Sequence, residues 1–178
     1  MGDYPYRGEG EKSVGFEIAD EINADYIISP IGNGTLIYGI WKGLKEFKNV
    51  KLTKKLPVLI GVQSKGCNTV VNAFKKEMDF IKPVKPHTIA GAIACGNPLD
   101  GLKALQVLRE SHGMVESVTD REILKAKDYL AKKEGVFAEP AGAVTLAGLI
   151  KLKNRLKKNA RIVLIVSGNG LKTAMPGT

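Results

Sequence analysis

Four short segments of this 178-residue chain carry residue types able to do chemistry. The first is Gly32-Asn33-Gly34-Thr35, which follows an apolar run and opens a helical pattern. Glycines let backbone N–H groups turn inward toward an anion. The helix that follows adds free N–H groups and the positive end of its dipole. A phosphate is the natural guest, and a plain strand-to-helix turn is the competing reading. The segment is not a Walker loop, since no Gly-Lys-Ser/Thr follows, and Ile37 occupies the third glycine position of a GxGxxG motif. The second segment is Ser167-Gly168-Asn169-Gly170, again after an apolar run. A neutral hydroxyl there suits a heteroaromatic nitrogen or a phosphate, or is an ordinary turn serine. The third, residues 88–98, is dense in small residues around Ala92 and Ile93. Such density permits close approach of something flat, or tight helix–sheet packing. The fourth, Glu139-Pro140-Ala141, puts a carboxylate at a helix start, where it reads locally as a capping acid.

The elements that must position these segments alternate. Strand patterns cover residues 25–31, 57–63, 114–118 and 161–167. The last is a nearly continuous apolar run and predicts a strand buried on both faces. Helical patterns cover 13–23, 35–47, 68–78, 99–111, 119–134 and 140–157. Thr119 with Glu122 forms a capping box, Gly135 stands at a C′ position, and Pro140 at a first turn. Alternation of this kind predicts a single α/β domain over residues 1–178. Its core is an open, twisted, mostly parallel sheet with helices on both faces. Ligands on such sheets bind beyond the strand C-termini, so residues 32–35 and Ser167 are expected to face one cleft.

Composition narrows the function classes. Cys67 and Cys95 form no CxxC pair, and with only His87 and His112 the chain offers no zinc spacing. The net charge of +9 comes from lysine-rich stretches without interleaved aromatics, which reads as a solvated surface rather than a nucleic-acid site. No apolar run approaches the ~20 residues of a membrane helix, and the first residues lack a signal-peptide core. The expected location is the cytoplasm, with no membrane or nucleic-acid partner.

In order along the chain, these residues resemble the C-terminal part of threonine synthase, a fold-type-II pyridoxal-phosphate enzyme. The likeness begins at Tyr6-Arg7-Gly8-Glu9-Gly10-Glu11-Lys12, similar to the family's R-x-E-G-Q-K stretch. It runs through the Gly32-Asn33-Gly34 loop, Gly61-Val62-Gln63, Gly66, Gly96-Asn97-Pro98, residues 104–113 and Glu139-Pro140-Ala141 to residues 167–172. The resemblance implies that Gly32, Asn33, Gly34 and Thr35 bind the cofactor phosphate and that Ser167 bonds the pyridine nitrogen. It places Ala92 near the ring and gives Glu139 a supporting role only. Leu36 stands where many members have Asn, and Asn169 where His is frequent. The family's Schiff-base lysine and substrate-phosphate residues belong to an N-terminal part that this chain is expected to lack. The chain is therefore expected to hold no catalytic residue and to be inactive alone. Three readings follow: one half of a threonine synthase acting on O-phospho-L-homoserine, a non-catalytic phosphate- or pyridoxal-phosphate-binding module, or a fragment of another lyase such as threonine dehydratase. The expected partners are a separate N-terminal half and, because an isolated half exposes apolar surface, further copies of itself.

Overall fold

A computed structural model describes residues 5–173 of the chain. The remaining terminal residues, with the parts of the expected 1–178 domain they form, lie outside the described residues. Four parallel strands form one sheet in the order β3-β2-β1-β4. They are β1 (Tyr26–Pro30), β2 (Val58–Ser64), β3 (Met114–Val118) and β4 (Ile162–Leu164). Among the described residues six α-helices connect or flank them: α1 (Pro5–Glu21), α2 (Thr35–Asn49), α3 (Thr69–Lys75), α4 (Gly101–Glu110), α5 (Asp120–Glu134) and α6 (Pro140–Leu152).

The period of two along each strand divides the core between the two sheet faces. Tyr26, Ile28, Ile60 and Val62 pack with α5 and α6 through Ile123, Ala126, Val144 and Ala147. Ile27 and Leu59 point the other way, into a layer built from α1 to α4 with Ile37, Ile40, Leu44, Val71 and Leu108. Helices thus cover both faces, as expected.

Two expectations need correction. Residues 161–167 form a paired strand only over Ile162–Leu164, and these are half-buried rather than buried. Ile162 and Leu164 do face one core layer and Val163 and Ile165 the other. Among the described residues the strand lies at the sheet edge and pairs with β1 alone, so no described strand covers its outer side from water. The first helix begins at Pro5, well before residue 13. Its early turns, rich in glycine and charge, are held by α2. Gly39 and Gly43 bring α2 so close that an added Cβ would lie 2.7 Å from Glu11 Cβ and 2.5 Å from the Lys12 carbonyl. Phe16 stacks on Phe47 at 4.9 Å, and Lys12 reaches Glu46 at 2.9 Å. Lesser shifts occur elsewhere: α3 stops at Lys75, before a left-handed Glu77, and α6 passes into a 3-10 turn at Lys153–Arg155. The capping box at Thr119 is present, with Glu122 N–H donating to Thr119 Oγ1 and Thr119 N–H to the Glu122 carboxylate. No helix among the described residues is long and apolar enough to cross a membrane.

Candidate functional site

Strand β1 ends at Pro30, the chain turns through residues 31–34, and α2 begins at Thr35. Gly34 sits at the N-cap with φ of 101°, a left-handed conformation that disfavours a side chain. The first bond of the new helix is Tyr38 N–H to Gly34 O at 3.2 Å. The N–H groups of Gly32, Asn33, Gly34, Thr35, Leu36 and Ile37 donate to no acceptor among the described residues, and no side chain caps the helix. A helix end left open in this way fits an anion.

The turn is supported from below by Gln63, which is fully buried at the end of β2. Its Nε2 donates to Ile31 O at 3.3 Å, while its Oε1 accepts from Val70 N–H and Val71 N–H at 2.9 and 3.0 Å. One amide side chain therefore ties the loop to the start of α3.

The second turn follows β4. Segment 137–139 pins it: Glu139 N–H donates to Gly168 O at 2.9 Å and Gly170 N–H to Phe137 O at 2.7 Å. Glu139 is the N-cap of α6, but its carboxylate makes no capping bond. The buried carboxylate lies instead against Gly168 and pairs with Lys172 at 3.6 Å. The capping role read from local sequence is therefore replaced by support of the turn that carries Ser167.

Both turns open into one cavity of about 520 Å3 at the C-terminal edge of the sheet. Gly32, Asn33, Gly34, Thr35, Ala92 and Ser167 all line it. Ala92 and Ile93 belong to a 3-10 turn whose backbone crosses close above Gly32, 3.1 Å from where a Cβ would stand. That turn is held by Asp120, which accepts from Thr88 Oγ1 at 2.6 Å and Ile89 N–H at 3.1 Å. Arg7, Glu11 and Cys95, for which the sequence suggests no site role, also line the cavity. Arg7 and Glu11 are four apart on α1 and paired at 3.0 Å. They sit within the R-x-E-G-Q-K-like stretch, which was the available signal. Burial pushes the Cys95 thiol up, so it is protonated at neutral pH and donates its S–H to Asn33 Oδ1 at 3.1 Å. No lysine appears among the described residues lining the cavity, and no group of three His, Cys, Asp or Glu among them could hold a metal ion.

A lining that combines open N–H groups, a serine and the small Ala92 fits a phosphorylated heteroaromatic guest. The family model described as pyridoxal-phosphate dependent enzyme matches residues 1–168. The chain belongs to that family. Among curated relatives of this pyridoxal-phosphate dependent family, a threonine synthase of Methanocaldococcus jannaschii is 45% identical over 174 residues, covering 94% of this chain and 43% of that protein. A threonine synthase of Methanosarcina acetivorans is 44% identical with the same coverage. The matched part is the C-terminal part of those enzymes, so the chain spans less than half their length. In three dimensions the chain is similar to an L-serine ammonia-lyase from Rhizomucor miehei, with a TM-score of 0.77 at 21% identity over 94% of this chain and 53% of that one. The fold is that of the fold-type-II pyridoxal-phosphate enzymes.

Proposed function

We propose that this chain is the cofactor-cradling C-terminal part of a cytoplasmic threonine synthase. Together with a part that carries the anchoring lysine, it acts on O-phospho-L-homoserine and water to release L-threonine and phosphate. The carrying observation is that residues 32–36, whose N–H groups donate to no acceptor among the described residues, line one cavity together with Ser167. The N–H groups of the loop bind the cofactor phosphate without needing a charged side chain. Ser167 bonds the pyridine nitrogen as a neutral partner and leaves it unprotonated. Ala92 leaves room for the ring. When bound, pyridoxal phosphate supplies the electron sink for the reaction. Arg7, paired with Glu11, lines the same cavity. Identity to threonine synthases together with Gly96-Asn97-Pro98 supports this reading over a dehydratase fragment.

A second reading is a binding module without chemistry, and a cavity lining without a described lysine is compatible with both. The open edge of β4 and the exposed Val136, Phe137, Val166 and Leu171 favour the first, because they offer a surface for the lysine-bearing part to cover. Mixing decides between them. Pyridoxal phosphate is titrated into the purified chain alone and with a separately produced N-terminal part of a threonine synthase. The absorbance of lysine-linked cofactor and the formation of threonine should appear only in the mixture. Cofactor binding without either signal in the mixture supports the binding module.

A further inference from the structure

Thr35 opens α2, yet its hydroxyl is already committed. Oγ1 donates to Asp100 Oδ2 at 2.7 Å. Asp100 is 1% exposed, and Lys103 Nζ donates to its other oxygen at 2.7 Å. The Asp100 N–H donates to the Asn33 carbonyl at 3.1 Å. The preceding Leu99 N–H donates to Asn33 Oδ1 at 2.9 Å. The Asp100 carbonyl closes on Gly34, 2.5 Å from where a Cβ would stand. Residues 99 and 100 thus grip three successive residues of the loop at once.

A carboxylate can only accept, and a hydroxyl has one proton to give. The Thr35 proton is therefore spent on Asp100, and Thr35 offers an anion its backbone N–H alone. We propose that Asp100 is the positioning residue of the anion loop. It holds Thr35 by the hydroxyl and Asn33 by the carbonyl, so that the loop N–H groups stay turned into the cavity. Lys103 balances the buried carboxylate, which keeps a negative charge from opposing the guest. The identity of the guest rests on the function proposed above, whereas the clamp itself does not.

The test uses the full chain and the variants D100A, D100N, T35V and T35S, first without ligand. In D100A and T35V, amide hydrogen exchange at Leu99, residue 100 and Tyr38 should speed up by about tenfold, as expected when a buried bond of this kind is lost. The amides of β1 and β2 should exchange as in the wild type. D100N and T35S, which preserve an acceptor at residue 100 and a hydroxyl at residue 35, should stay near the wild type. The double variant T35V/D100A should be no worse than either single one. With inorganic phosphate or pyridoxal phosphate as probe, affinity should fall in D100A and T35V and hold in D100N and T35S. Unchanged local exchange in D100A, or an equal loss of protection across the whole sheet, overturns the proposal. So does tighter phosphate binding in D100A with weaker binding in T35V, because the Thr35 hydroxyl would then be a ligand in its own right. If D100A does not fold, D100N and T35V decide. If the wild type binds neither probe, the cofactor reading of the cavity fails, and the exchange measurements still decide the clamp.

Discussion

At Gly34 two constraints coincide. Its φ of 101° is left-handed, and a Cβ would press on the backbone carbonyl of Asp100 rather than on a side chain that could swing away. Gly34→Ala should therefore destabilise the chain by about 1–3 kcal/mol, which corresponds to roughly 2–4 °C in Tm for each kcal/mol. Phosphate binding should fall with it, because the loop can only accommodate the new methyl by turning its N–H groups. Calorimetric melting with a parallel phosphate titration checks both. Ser167 poses the opposite case. It is exposed, and its hydroxyl makes no hydrogen bond to another described residue. Ser167→Ala should leave Tm unchanged while weakening pyridoxal phosphate binding by about tenfold, the worth of one hydrogen bond. A fall in Tm with no change in binding would remove the ring-nitrogen role.

At the scale of elements, α1 reaches the cavity only because α2 lets it approach. Gly43→Val would drive a branched side chain into the Lys12 backbone and force the two helices apart. An overpacked contact of this kind costs about 1–3 kcal/mol. The same change should move Arg7 and Glu11 away from the cavity, so phosphate affinity should drop although residue 43 does not line it. The α2–α4 contact has a different signature. Glu110 accepts from Lys45 at 2.9 Å, Trp41 Nε1 at 2.8 Å and Gln106 Nε2 at 2.8 Å. These bonds hold its carboxyl down at about 2, from an ordinary 4.5. A carboxyl depressed on folding stabilises the fold above its unfolded pKa, and that contribution is lost as pH falls toward the folded value. Tm should therefore decline between about pH 5 and pH 2 more steeply in the wild type than in Glu110→Gln. The side chain is a third exposed, so solvent screening keeps the difference modest. Equal slopes in the two proteins would show that the contact does not depend on ionised Glu110.

For the whole molecule the decisive feature is the sheet edge at β4. Ile165 N–H still donates to Ile28 O at 3.0 Å, but on the far side of the strand no described strand takes up the open bonds. The chain spans less than half the length of the threonine synthases it matches, and no described lysine lines the cavity. The purified chain should accordingly form no threonine from O-phospho-L-homoserine. Addition of the lysine-bearing part should restore activity and slow amide exchange along residues 162–166. Steady threonine formation by the chain alone would refute the proposed division of labour.

The glycine turn at residues 32–35, the turn after residue 167 and the Thr119 capping box were legible in the sequence because each depends on residues only a few positions apart. Turn dihedrals, caps and the two periodicities are local properties, and they were enough to indicate a parallel sheet with its candidate loops on one edge. The clamp on the loop was not legible, since Thr35 and Asp100 lie 65 positions apart and nothing in either neighbourhood announces the other. The same holds for Arg7 and Glu11, which enter the cavity through the packing of α1 on α2, and for Glu139, whose carboxylate supports a turn instead of capping its helix. Residues 161–167 show the limit most directly. Their apolar pattern settled that a strand forms and that its two faces are covered. How deeply it is buried depends on whether another strand lies beside it, and strand order is a property of the assembled sheet.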